Sequence, residues 1–269
     1  MTAAHTIPID LAGRTALVTG STQGIGLAIA TRLREAGARV VVNGRDSEVV
    51  ERVAAELGAD DGPEVVGVAA DVSTPEGARR LIAAADPVDV LVNNLGIFEA
   101  REPFDITDDE WRRFFDVNVL SAARLTRDLL PAMMERGWGR VLNIASDSAV
   151  VIPAEMIHYG MTKTAMLSLS RGFAKAAAGT GVTVNSVIVG PTHTPGVEEF
   201  VSQLVDGDLP WDDAQREFMR IERPQSLLGR LIEPYEIANM VVYLASPLAS
   251  ATTGAAVRVD GGYVDSILP

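Results

Sequence analysis

The chain has 269 residues, 47% of them hydrophobic, no cysteine and a formal net charge of −13 at pH 7. That length and apolar content allow one large domain core. The acidic balance argues against a basic face for nucleic acid or anionic membrane, and the missing thiols exclude disulfides, thiolate catalysis and cysteine-bound metal.

No apolar stretch reaches the ~18 residues that a membrane helix needs. The opening MTAAHTIPID lacks the basic segment and apolar stretch of a secretory signal, so a soluble, cytoplasmic protein is expected. His5, His158 and His193 show no metal-ligand spacing, and no metal is assigned.

Taken in chain order, the first strand is expected at TALV (15–18), followed by TGSTQGIG, Thr19 to Gly26, and the helical pattern GLAIATRLREAG. Glycines at 20, 24 and 26 permit a tight turn. The amides that open the helix can hold a phosphate at the positive end of its dipole. Gly20, Ser21, Thr22, Gln23, Gly24, Ile25 and Gly26 are therefore candidates for dinucleotide binding. Their spacing differs from the GxxxxGK[ST] loop, which argues against a nucleoside triphosphatase.

The second strand, VVV (40–42), runs into Asn43-Gly44-Arg45-Asp46. An NAD site would place a ribose-binding carboxylate there, whereas Arg45 can pair with a 2′-phosphate. NADP(H) is thus expected in preference to NAD(H). An arginine merely exposed in a loop, or Asp46 serving a ribose hydroxyl, are the alternatives at this point.

The helical pattern SEVVERVAAELG leads to a third strand, VVGVA (65–69), with Asp71 and Val72 beyond it. VDVLV (88–92) ends at Asn93-Asn94-Leu95-Gly96; RVLNIA (140–145) ends at Ser146; VTVNSVIV (182–189) and AAVRV (255–259) complete the set, the last after the helical EIANMVVYLAS. Strands apolar almost throughout, alternating with helices, predict an α/β doubly wound Rossmann fold of about seven parallel strands with helices on both faces. Residues 1–269 should form a single dinucleotide-binding and catalytic domain.

Between Gly190 and about Gly229 the strand signal disappears. VEEFVSQLV and AQREFMRIE flank DGDLPW, an excursion of the kind that serves as a lid or binding segment. Of its apolar residues, Phe200, Leu204, Trp211, Phe218 and Met219 are expected mainly to pack as helix core.

HYGMTK (158–163) supplies the chemistry. Only Lys163 and Lys175 among the 23 basic residues are lysine, and residues four apart share a helix face, so Tyr159 and Lys163 can address one site. A phenol of pKa ~10 is a poor acid or base at neutral pH. An ammonium ~4 Å away at an effective dielectric of ~20 would stabilise the phenolate by about 4 kcal/mol, so a lowered tyrosine pKa is expected. Ser146 stands thirteen residues before Tyr159, at the carboxyl edge of the sheet where such folds bind ligands.

Together, TGSTQGIG, Asn93-Asn94-Leu95-Gly96, and Asn118, Ser146, Tyr159 and Lys163 resemble the short-chain dehydrogenase/reductase family from about Leu11 to Tyr263. The likeness is to members of the 3-oxoacyl-acyl-carrier-protein reductase kind. It implies that Tyr159 exchanges a proton with a carbonyl or alcohol oxygen while hydride passes to or from nicotinamide. Ser146 orients that oxygen, Lys163 binds the nicotinamide ribose, and Asn118 holds a water for a proton relay. The resemblance also implies that Asp71 contacts adenine, that Asn94 and Gly96 line the adenosine side, and that Thr194, with Thr192 nearby, lies by the carboxamide.

Leu95 departs from the family's alanine, and Val189-Gly190-Pro191 displaces its proline. Asp147, next to Ser146, is expected to be a solvated turn residue, with His158 and His193 bystanders. The partner is expected to be a small carbonyl or alcohol, and the assembly a homotetramer through residues 108–135 and 154–178. An NAD-dependent alcohol dehydrogenase and a non-catalytic dinucleotide sensor are the competing readings.

Overall fold

Seven short strands pair entirely in parallel: β1 (Thr15–Val18), β2 (Arg39–Gly44), β3 (Val65–Ala69), β4 (Val90–Asn93), β5 (Gly139–Ile144), β6 (Val182–Val189) and β7 (Ala256–Val259). Each lies within two residues of its sequence prediction. The computed structural model describes residues 8–205 and 209–267, without the side chains of Phe200, Gln203 and Leu204. His5 and part of the DGDLPW turn therefore lie outside the described residues, as do the lid side chains of Phe200 and Leu204.

Strand order is β3-β2-β1-β4-β5-β6-β7, the doubly wound arrangement whose direction of winding reverses between β1 and β4. Successive side chains of a strand point to opposite faces, and here both faces are apolar. Ala16, Val18, Val40, Val42, Val90 and Val92 face one cluster, which α1 (Gly24–Glu35) covers with Ile29 and Leu33. Leu17, Val41, Leu91 and Val141 face the other, with Leu81 of α3 (Pro75–Ala85). Each fully buried leucine contributes roughly 2 kcal/mol of burial free energy.

The same pattern explains the helices. α2 (Ser47–Leu57) starts at an Asp46 cap that accepts from the Val49 amide, and α3 starts at a Thr74 cap with proline in its first turn. α4 (Asp108–Phe115) opens with a Thr107–Glu110 capping box and passes through a π-helical turn, Asp116–Leu120, into α5 (Ser121–Glu135). α6 (Ile157–Ala176) packs against β6, and α9 (Pro234–Ala245) joins α1 on the first face through Ile237 and Val241.

The predicted excursion forms two helices, α7 (Pro195–Leu204) and α8 (Trp211–Glu222). Val201, Ala214, Phe218, Met219 and Leu231 bury a small separate core with Trp211 packed against it, so Phe218 and Met219 are structural. Among the described residues, no helix is long and apolar enough to cross a membrane.

Candidate active site

The site forms along the carboxyl edge of the sheet. After β1 the chain turns through Gly20 and Gly24, at φ of 60° and 55°, the left-handed region that glycine enters without strain. Gly26 is required by close approach: a Cβ there would lie 2.3 Å from the Gly20 carbonyl oxygen and 2.5 Å from Asn94 Nδ2. Asn94 clamps this turn, donating from Nδ2 to the carbonyls of Thr19 and Gly20, each at 3.0 Å. Helix α1 begins with no side-chain cap at Gln23, which leaves its first amides for a ligand.

A cleft of about 240 Å³ lies over this turn, lined by Gly20, Thr22 and Gln23, by Asn43 to Arg45, by Ala70 to Val72 and by Asn94 to Gly96. Eight of the cofactor candidates reach it: Gly20, Thr22, Gln23, Arg45, Asp71, Val72, Asn94 and Gly96. Leu95, the departure from the family's alanine, also lines it, and Asn43, Gly44 and Ala70 join without having been foreseen. Their backbones line the cleft because β2, β3 and β4 end at its rim, a matter of register that residue type does not announce.

Two candidates make contacts that the sequence did not suggest. Ser21 is fully buried and its hydroxyl is committed: it donates to the Val18 carbonyl at 2.7 Å and accepts from the Asn43 amide at 2.9 Å. It braces β1 against β2 instead of facing a ligand. Gly96, expected on the adenosine side, lies at the other end, where a Cβ would sit 3.3 Å from Lys163 Nζ and 3.5 Å from Asn118 Oδ1. Ile25 packs on the core. Thr194 caps α7 and its methyl stands 3.4 Å from where a Cβ on Gly24 would lie; Thr192 is buried, its hydroxyl donating to the Gly190 carbonyl at 2.8 Å.

The end of β2 bears on the alternatives left open above. Asp46 is spent on the cap of α2. Asn43 donates to the Val68 and Ala70 carbonyls at 3.1 and 3.0 Å. Arg45 is exposed and, among the described residues, has no ion-pair or hydrogen-bond partner. No carboxylate from this strand end competes with it for an anion.

Ser146, Tyr159, Lys163 and Asn118 converge beyond the cleft. Lys163 is 5% exposed; its Nζ donates to the Ile144 carbonyl at 2.9 Å and stands 5.6 Å from the Tyr159 ring centre. Asn118 sits in the π-helical turn, 1% exposed. It accepts from the Ile97 amide at 2.8 Å and donates to the Ile97 carbonyl and Thr162 hydroxyl, each at 3.0 Å. Its amide therefore holds the loop after β4. Thr162 was missed in the sequence, although it lies within the HYGMTK run.

The tyrosine shift runs opposite to expectation. Burial pushes the Tyr159 phenol up, a hydrogen bond with Ser146 offsets this in part, and the Asp147 charge adds to the rise. Burial also lowers the pKa of Lys163, to about 8. Desolvation of both groups outweighs their attraction.

Asp147 also departs from expectation. It is 9% exposed, and burial raises its carboxyl pKa. Its Oδ1 accepts from the Ser146 hydroxyl at 2.8 Å and the Ser148 amide at 2.7 Å. His158 is fully buried against Phe114, ring centres 4.1 Å apart, and His193 stacks on Trp211 at 4.7 Å. Phe98 meets Tyr159 edge-on at 6.3 Å, a wall that the sequence did not mark.

A glycine cleft at the winding switch, opening on a Ser-Tyr-Lys cluster, defines a Rossmann-fold oxidoreductase, and the chain belongs to the short-chain dehydrogenase/reductase family. The family described as Enoyl-(Acyl carrier protein) reductase matches residues 20–264. The chain is 51% identical over 261 residues to the uncharacterized oxidoreductase YvaG of Bacillus subtilis, covering 96% of this chain and 99% of that protein. It is 34% identical over 260 residues to a D-beta-hydroxybutyrate dehydrogenase of Cupriavidus necator, covering 94% and 99%. L-sorbose reductase from Gluconobacter frateurii, solved with NADPH and L-sorbose, superposes with a TM-score of 0.91 at 30% identity, over 97% of this chain and 100% of that one. These relatives bear out an enzyme that acts on carbonyl or alcohol groups with a nicotinamide cofactor.

Proposed function

We propose that this protein is an NADPH-preferring reductase of small carbonyl compounds. One observation carries the reading: Ser146, Tyr159 and Lys163 meet where the glycine-turn cleft ends, with a tyrosine that burial keeps protonated. The cleft fits a dinucleotide, because Gly26 leaves room that a Cβ would fill and the uncapped start of α1 offers amides to a phosphate. The bound cofactor would supply hydride for the carbonyl carbon.

The residues do the rest. Tyr159 gives its proton to the carbonyl oxygen, which turns C=O into CH–OH, and recovers a proton from solvent. Ser146 orients that oxygen, and Lys163 takes the ribose hydroxyls while the Ile144 carbonyl holds its Nζ in place. Asn118 holds the Ile97 loop in position beside Lys163. Arg45 receives the 2′-phosphate, and Asp71, whose Oδ1 is occupied by Ser73, turns its remaining oxygen to the adenine.

The NADPH-bound state of the L-sorbose reductase supports the cofactor choice. The chain acts as one domain with α7 and α8 as a lid. A homotetramer is supported by apolar side chains left in contact with solvent before α4, on α4 and on the π-helical turn: Phe104 at 97%, Phe115 at 37% and Leu120 at 38% exposure. The test is a carbonyl panel with NADPH and NADH. NADPH oxidation by at least one ketone supports the reading, and binding of nucleotide without turnover of any ketone overturns it.

A further inference from the structure

Asp147 occupies an unusual position for a carboxylate. It follows Ser146 directly and is buried, yet three donors converge on one of its oxygens: the Ser146 hydroxyl at 2.8 Å, the Ser148 amide at 2.7 Å and the Ser148 hydroxyl at 3.3 Å. Oδ2 has no hydrogen-bond partner among the described residues, and it is not one of the polar atoms sealed from solvent without a partner. It is therefore open to a ligand, one carboxylate width from the oxygen that holds Ser146.

Two further groups lie within electrostatic reach of Asp147. Arg223 ends α8, its guanidinium carbon 5.8 Å from the ring centres of both Phe218 and Tyr263, and its charge reaches Asp147 and favours the ionised carboxylate. Arg223 donates to the Glu222 carbonyl at 2.7 Å and forms no ion pair among the described residues. The Tyr263 phenol, 9% exposed, feels both charges. Asp147 stands directly beside Ser146, so a substrate carboxylate next to the reacting carbon would bring a second negative charge against it. An apolar group beside the reacting carbon would leave Oδ2 desolvated and unpaired, at a cost of about 1–3 kcal/mol.

We propose that Asp147 Oδ2 accepts a hydrogen bond from a hydroxyl on the carbon next to the reacting carbonyl, so that the preferred substrates are neutral hydroxylated ketones, ketoses among them. The inference rests on the carbonyl-reductase reading above. The carbonyl carbon gains hydride from the reduced nicotinamide and the oxygen gains the Tyr159 proton, giving a vicinal diol and the oxidised cofactor. The hydroxyl held by Asp147 is left unchanged.

The test compares hydroxyacetone, butanone and pyruvate, three ketones of similar size that carry a hydroxyl, a methyl and a carboxylate beside the reacting group. With NADPH, kcat/KM for hydroxyacetone should exceed that for butanone by about 10- to 100-fold, the factor that one unpaired buried acceptor costs. Pyruvate should be the poorest of the three. In Asp147→Ala the hydroxyl preference should fall to within about threefold. Asp147→Asn keeps the shape and an acceptor for Ser146, so it should retain part of that preference while raising pyruvate relative to butanone. General damage to the fold would not produce that inversion. Equal use of butanone and hydroxyacetone by the wild-type enzyme, or the same preference in Asp147→Ala, overturns the assignment and leaves the reductase reading in place. Absence of turnover for all three, and for a ketohexose, overturns both.

Discussion

The cofactor preference rests on Arg45, so its removal can be followed in detail. The side chain lies exposed at the rim of the cleft with no partner among the described residues, while Asp46 and Asn43 are committed elsewhere. Two unit charges ~4 Å apart at an effective dielectric of ~20 attract by about 4 kcal/mol. Exposure and salt screening reduce this to the roughly 1.5–3 kcal/mol typical of a charge-assisted hydrogen bond. Arg45→Ala should therefore weaken NADPH binding by about 10- to 150-fold. NADH, which lacks the phosphate, should change by less than about threefold on the same scale. Fluorescence titration of both nucleotides at two ionic strengths measures the effect, and the NADPH penalty should shrink in high salt. If NADPH affinity stays within about threefold of wild type, the phosphate is held elsewhere and the argument from the end of β2 fails.

Three other outcomes follow from the geometry. Gly26→Ala forces a Cβ to within 2.3 Å of the Gly20 carbonyl oxygen, so the turn must shift; calorimetry should show a loss of about 1–3 kcal/mol and titration a loss of NADPH affinity of at least about tenfold. With NADPH as the varied reactant, kcat/KM reports the free enzyme. It should hold through neutral pH and fall above about pH 8, where Lys163 loses its proton, while Tyr159, raised by burial, stays protonated across the range. A profile without that alkaline limb would contradict the placement of Lys163. Sedimentation equilibrium should give about four times the 28.5 kDa chain mass, and a monomer would remove the proposed role of the exposed Phe104 and its neighbours.

Much of the molecule was legible in its residue order because burial on both faces imposes apolar strands, and such strands are easy to see. TALV and VTVNSVIV carry the sheet and its parallel sense without any knowledge of pairing. The glycine turn was equally legible, since Gly20, Gly24 and Gly26 answer to backbone shape and not to distant partners.

What stayed hidden depends on environment. Asp147 follows a strand end in a position that usually faces water, and its contacts with Ser146 and Ser148 and the packing of its turn on α6 and β6 bury it. Ser21 reads as a ligand of the turn until the Asn43 amide is seen to occupy its oxygen. The tyrosine shift was misjudged for the same reason: spacing gave the Lys163 charge, but not the desolvation that outweighs it.

The central claim is that Tyr159 donates the proton that accompanies hydride transfer. It is tested most directly by single-turnover oxidation of bound NADPH with a reactive ketone, comparing wild type with Tyr159→Phe. The predicted result is a fall in rate of at least about 100-fold with NADPH affinity unchanged within a few-fold. A variant that reduces the ketone at near wild-type rate would contradict it.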